Sequence, residues 1–269
     1  GGMIKLLRQV EDDPGIRGVI LRIDSPGGDG VASDDILHEV ERLAKKKPLV
    51  ISMSDMAASG GYFIAMSGDP IVAYPNTMTG SIGVLMVKPN LRGLYDKLGL
   101  HVETLSRGRY ANIESESEPM DDAARAKFQA SLEEFYQEFV TRVAEGRRRP
   151  YSDVEPLAQG RVWLGTQAKA NGLVDALGGL DRAIDMVRRK ARIAPGERIT
   201  LVPYPRRRSL WEVIFSRAGE ETSMDARLRT MLRALHISAL PGLAFSGSWM
   251  EAMIEGGMLR MVPYAISVK

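Results

Sequence analysis

The chain has no cysteine and only three histidines, His38, His101 and His236, among its 269 residues. Thiol catalysis, disulfides and thiolate metal sites are therefore excluded. No two histidines lie close in sequence, so an imidazole-rich metal site is not expected, and neither is any cofactor. Lack of cysteine suits either side of a membrane and does not fix the compartment. No run of about 18 apolar residues occurs, so no stretch reads as a bilayer span. No signal-peptide pattern opens the chain. Charge of one sign is missing too: 36 Lys and Arg face 34 Asp and Glu, a net of +2. That balance predicts no general attraction to nucleic acid or anionic lipid. The arginine clusters at 147–149 and 206–208 read as solvated loops.

What is present is an ordinary globular composition, 44% hydrophobic and 26% charged, long enough for one or two domains. The chain opens Gly1-Gly2-Met3-Ile4 as a helix already under way, and the expectation is a fragment with earlier elements missing. Ile4, Leu7 and Val10 share a helical face. A turn at 12–15 leads to an apolar strand, 18–23. It ends in the glycine-rich loop Asp24-Ser25-Pro26-Gly27-Gly28-Asp29-Gly30. A helix capped by Ser33 or Asp34 follows, then a strand at 49–53. The alternation of strand, loop and helix predicts an α/β fold with parallel strands.

Further on, 71–73 reads as a strand, 90–98 as a helix and 101–105 as another strand. Residues 106–119 form a polar rim or loop. A long amphipathic helix covers 121–148, its stripe of Phe128, Leu132, Phe135, Phe139 and Val143 being assigned to the core. Helical pieces at 152–158, 166–171 and 180–192 close a unit spanning 1–195. Residues 196–269 read as a C-terminal subdomain or oligomerisation arm ending in a strand from Met258.

Chemistry concentrates at Asp55-Met56-Ala57-Ala58-Ser59-Gly60-Gly61-Tyr62. Ser59 falls at a strand-to-helix junction among small residues, where another backbone can approach its hydroxyl. A serine nucleophile needs a base. None of the three histidines is well placed by sequence, so a neutral lysine is the other choice. Lys88 and Lys97 are candidates by position, and nothing local decides between them. An oxyanion hole needs two preset N–H donors, each worth roughly 3–4 kcal/mol. Gly60 offers one, and Gly27 or Gly28 the other, if both loops leave neighbouring strand ends. Met53, Met56, Met66, Met78 and Met86 cluster near the site in sequence. They read as fillers of core gaps before they read as a substrate groove.

The segments Asp24-Ser-Pro-Gly-Gly28, Asp55-Met-Ala-Ala-Ser-Gly-Gly-Tyr62 and Thr79-Gly-Ser-Ile-Gly83 resemble the signal peptide peptidase A family of bacterial serine/lysine peptidases. Gln159-Gly-Arg-Val-Trp-Leu-Gly165 and Ala168-Lys-Ala-Asn-Gly-Leu-Val-Asp175 fit the same family, so the resemblance covers about 3–193. It implies a Clp protease/crotonase-like spiral of βαβ units with outer helices, and peptide substrates such as remnant signal peptides. It implies Ser59 as nucleophile, with Gly60 and the Gly27-Gly28 pair as oxyanion donors. It also implies an upstream bacterial membrane anchor absent here, an extracytoplasmic (periplasmic) catalytic domain and a homo-oligomer, a tetramer in tandem form. The family's general-base lysine is expected in Gly108-Arg109-Tyr110-Ala111-Asn112, where Ala111 stands instead.

Three explanations compete for Ala111. The chain is the second half of a tandem peptidase whose amino-terminal repeat supplies the lysine; or it is a Lys-to-Ala trap; or it is a pseudopeptidase that only binds peptides. In each case this chain alone is expected to have little activity. An acyl-coenzyme A enzyme of the crotonase type is the rival from another class, because it uses the same kind of oxyanion hole.

Overall fold

A computed structural model describes residues 2–67, 69–205 and the backbone of 260–267. Helix α1 (Gly2–Asp12) leads into strand β1 (Ile16–Ser25), followed by α2 (Gly30–Lys46) and β2 (Leu49–Ala58). Short elements follow: α3 (Gly60–Ile64), β3 (Ile71–Ala73), β4 (Met78–Gly80) and α4 (Arg92–Lys97). The long α5 (Asp122–Arg147) precedes α6 (Tyr151–Val154), β5 (Val162–Leu164), α7 (Gly165–Ala170), β6 (Ala176–Leu177) and α8 (Leu180–Lys190). Strands β7 (Thr200–Pro203) and β8 (Arg260–Ser267) complete the described elements.

The sheet is mixed. β1 pairs parallel with β2, β2 with both β3 and β4, and β3 with β6. Three antiparallel pairs, β1–β8, β4–β5 and β7–β8, extend it. The β-branched and aliphatic run of β1 and β2 is buried on both faces, as parallel strands flanked by helices require. Val19, Leu21, Ile23, Leu49, Ile51 and Met53 join the core with α1, α2, α3 and the end of α5. Ile20, Val50 and Val72 face Ala183 and Val187 of α8 on the other side.

Two irregularities shape the sheet where its strands end. The register of β1 against β2 shifts between Ile23 and Ser25. β2 also changes neighbour along its length, pairing with β3 at Ile51 and Ser52 and with β4 from Met56 to Ala58. The sheet thus divides just before Ser59. A sequence reading that stops β2 at 53 misses this, because Ser54, Asp55 and Met56 are polar or half-exposed yet still extended.

Other expectations change. Asp29, not Ser33 or Asp34, caps α2: its carboxylate accepts the Ala32 N–H at 2.8 Å. Ser33 is instead buried one turn in. Residues 101–105 are not a strand; Val102 and Leu105 are exposed and have no ladder partner among the described residues. The reading of 196–269 as an arm falls mostly on residues outside those described, while β7 and β8 belong to the central sheet.

Candidate active site

Ser59 lies between the last residue of β2 and the first of α3, with φ 50° and ψ −123°. That conformation is costly for a residue with a Cβ, about 1–3 kcal/mol, and persists only where surroundings hold it. Here the Ser59 N–H donates to Gly80 O and the Ser59 carbonyl accepts from Phe63 N, each at 2.9 Å. β4 and α3 therefore clamp the turn from both sides. Deeper anchors fix α3. Tyr62 is fully buried, its hydroxyl donates to Leu173 O at 2.8 Å, and burial pushes its pKa well above the phenol range. Phe63 meets Phe139 of α5 edge-on at 5.1 Å, a geometry worth about 0.5–1.5 kcal/mol beyond area.

The glycine-rich loop after β1 meets this turn directly. Gly27 has φ +112°, and a Cβ there would lie 2.7 Å from Ser59 Cβ and 2.9 Å from Gly60 N. A Cβ on Gly60 would lie 2.6 Å from Ser33 Oγ and 3.2 Å from Gly28 N. The two loops touch because neither carries side chains at the contact. Ser25 Oγ accepts the Gly27 N–H at 3.1 Å, which folds the loop back. Ser33 Oγ donates to Asp29 O at 2.8 Å and fixes its far end. Gly60 is first in its helix and has no intrahelical acceptor for its N–H. Among the described residues neither the Gly60 nor the Gly28 amide is paired with a backbone acceptor.

Beside Ser59 opens a cavity of about 490 Å³, within the range of ligand sites. Gly28, Gly60, Ser33 and Ser59 form its polar end; Phe63, Phe128, Leu132, Phe135, Leu85 and Met86 form much of its apolar wall. Among the described residues Asp29 is the one ionisable member of this lining, and its carboxylate is engaged as the α2 cap.

The proposed bases are elsewhere. His38 and His101 are exposed and absent from the lining, and His236 lies outside the described residues. Lys88 donates to Glu118 O, and Lys97 is exposed on α4. Ala111 sits in an exposed series of turns. Burial lowers the pKa of Lys47. Its ammonium, however, bonds to Asp13 O and to Ile16 O, the latter at the amino end of ten-residue β1. At strand rise that is about 30 Å from the site.

The structure also redistributes the apolar candidates. Phe139 and Val143 are core, but Phe128, Leu132 and Phe135 line the cavity rather than the core assigned to them. Periodicity could not separate the two, since both give a stripe every three or four residues. Of the five methionines, Met53 and Met66 are buried in the core, and Met86 alone joins the cavity wall.

A hydroxyl presented at positive φ between strand and helix, with free amides beside it, is the geometry by which α/β hydrolases expose a nucleophile. Residues 41–194, more than half of the chain, match the model for peptidase family S49, and the chain belongs to that family. It is 41% identical over 238 residues to a protein of Arabidopsis thaliana named chloroplastic serine protease SPPA, covering 88% of this chain and 35% of the relative. Protease 4 of Haemophilus influenzae is 41% identical over 182 residues, covering 67% of this chain and 29% of the relative. Protease 4 of Salmonella typhi is 40% identical over 179 residues, 66% and 29% respectively. The chain thus spans about a third of the length of these relatives.

Proposed function

We propose that this chain carries the nucleophilic half of a serine peptidase acting on unfolded, apolar peptides, remnant signal peptides among them. The observation that carries the reading is Ser59, clamped at positive φ against two amides unpaired among the described residues, beside an apolar cavity. Membership of a peptidase family and relatives named as proteases support it. The fold is read as a Clp protease/crotonase-like spiral, which the division of β2 between two neighbours favours.

In this mechanism Ser59 Oγ attacks the scissile carbonyl carbon and gives its proton to a neutral lysine amine. The carbonyl oxygen gains the negative charge and accepts N–H bonds from Gly60 and Gly28. Collapse breaks the C–N bond, and the lysine ammonium protonates the departing amine. Water, deprotonated by the same lysine, then hydrolyses the acyl ester and restores Ser59. Each oxyanion donor contributes roughly 10²–10³ in rate.

The lysine comes from an amino-terminal repeat, because among the described residues the cavity lining holds no lysine and Ala111 occupies the expected position. Exposed apolar side chains at Leu85, Val87, Leu94, Leu98 and Leu105 support packing against further copies in an oligomer. Among the described residues no helix is long and apolar enough to cross a membrane. On the family resemblance, membrane attachment is assigned to an upstream segment, with the catalytic face outside the cytoplasm.

The test is fluorophosphonate labelling with peptide mapping, on this chain alone and with the lysine-bearing repeat added. The expected adduct is on Ser59, is lost in Ser59→Ala, and forms far faster with the repeat present. Restoration by Ala111→Lys instead would place the base within this chain. Peptide binding with no turnover in either case would mark a pseudopeptidase. No adduct, together with saturable coenzyme A binding, would overturn the peptidase reading in favour of an acyl-coenzyme A enzyme.

A further inference from the structure

Adjoining the cavity at Ser59 is a smaller one of about 110 Å³, lined by Gly30, Val31, Asp34, Phe63, Phe135, Glu138 and Phe139. Every apolar residue of that lining, and Gly30, also borders the main cavity. The two spaces are therefore separated by shared side chains rather than by backbone layers. Phe63 and Phe139 are fixed by their edge-on pair and by burial in the core. Val31 is 67% exposed and leans outward. Phe135 remains: it projects from α5, is 37% exposed, and lies over Gly30 at the start of α2. A Cβ on Gly30 would come within 2.8 Å of Phe135 Cε1. The missing side chain at Gly30 is what lets the ring settle between the two spaces.

We propose that Phe135 is a specificity-determining residue, the partition that sets how deep an apolar substrate side chain penetrates beside Ser59. The proposal rests on the peptidase reading and names the feature of the peptide that this site measures: the bulk of one side chain next to the scissile bond. The smaller space suits a neutral ring. Its walls are aromatic and aliphatic, and its two carboxylates face Arg142, whose guanidinium lies 4.0 Å from Asp34 and 3.8 Å from Glu138. Both carboxylates are more than half exposed, so water screens them and a cationic side chain gains little there.

The test is a series of peptides identical except for the residue before the scissile bond, Ala, Leu, Phe or Trp. It is run on the protein with its lysine supplied, and Ser59 labelling is measured on every variant. Phe135→Ala is expected to raise the kcat/KM ratio of Trp over Leu about tenfold or more, since a methylene or two of pocket depth commands factors of that size. Phe135→Leu should fall between, and Phe135→Trp, which extends the partition, should lower the ratio. Because the ring is partly exposed and outside the core, all three should fold. Variants that label at Ser59 like the parent but keep its ranking of peptides would overturn the role of Phe135 and leave the peptidase reading intact. Failure of parent and variants alike to label or cleave would overturn both.

Discussion

Gly60 is the position where one added carbon tests the arrangement most directly. In Gly60→Ala the new Cβ would meet Ser33 Oγ at 2.6 Å and Gly28 N at 3.2 Å. Both proposed oxyanion amides would be displaced. The rate of fluorophosphonate labelling should fall by roughly 10²–10³, with a stability loss of about 1–3 kcal/mol from overpacking. Adding Ser33→Ala removes the nearer of the two obstacles and should restore part of both. A double variant no better than the single would show that the collision with Ser33 is not the cause. Ser59 and the glycines at 27, 28 and 60 were legible in the sequence, because small residues flanking a hydroxyl leave a local signature. Ser33 was not legible as a neighbour of Gly60. Its role depends on where α2 starts, and that depends on which acid caps it.

That cap belongs to the helix rather than to the site. Asp29 begins α2 four or five residues before the positions that the apolar stripe suggests, since Val31 and Ala32 in its first turn are exposed. Asp29→Ala should cost about 1 kcal/mol in urea unfolding, whereas Asp34→Ala should change stability by less than about 0.5 kcal/mol. The reverse order would return the cap to Asp34. At the other end of the site, α5 is held at its last turn. Arg147 is buried and bonds both oxygens of Asp175, at 2.9 and 2.6 Å, and Gly172 O at 3.0 Å. Arg147→Met should destabilise by about 2–3 kcal/mol, less than the 3–5 of a fully buried pair because Asp175 keeps solvent contact. The stretch of α5 from Phe128 to Phe135 bears on the cavity, and Phe139, Val140, Val143 and Ala144 bear on the core. Its aromatic spacing alone predicts a buried face, and only the packing shows that Phe128 and Phe135 have a void in front of them.

Taken together, the chain's carboxylates set its response to acid. The Lys46 hydrogen bond holds the Glu11 carboxyl below its usual range, and the Arg8 hydrogen bond does the same for Glu39. For Asp175, burial pushes upward, but the Arg147 hydrogen bond and charge outweigh it, and its pKa is also lowered. Depressed folded-state values mean stability that is fully present above the ordinary carboxylate pKa of about 4 and lost as pH falls through the folded values. Thermal unfolding midpoints should therefore be level from pH 7 to about 5 and drop below about 4. Glu39→Gln should start lower and decline less steeply; a parallel decline would exclude Glu39 from the linkage. The α/β rhythm, the two glycine-rich loops and the serine between them were determined by the sequence itself, because each is written in neighbouring residues through propensity, apolar periodicity and turn chemistry. Tertiary structure alone decided that the two loops meet, that β2 divides between two neighbours, and that α5 walls a cavity. It also left every lysine among the described residues out of the cavity lining. These depend on contacts between residues far apart in the chain, whose registry no local pattern encodes.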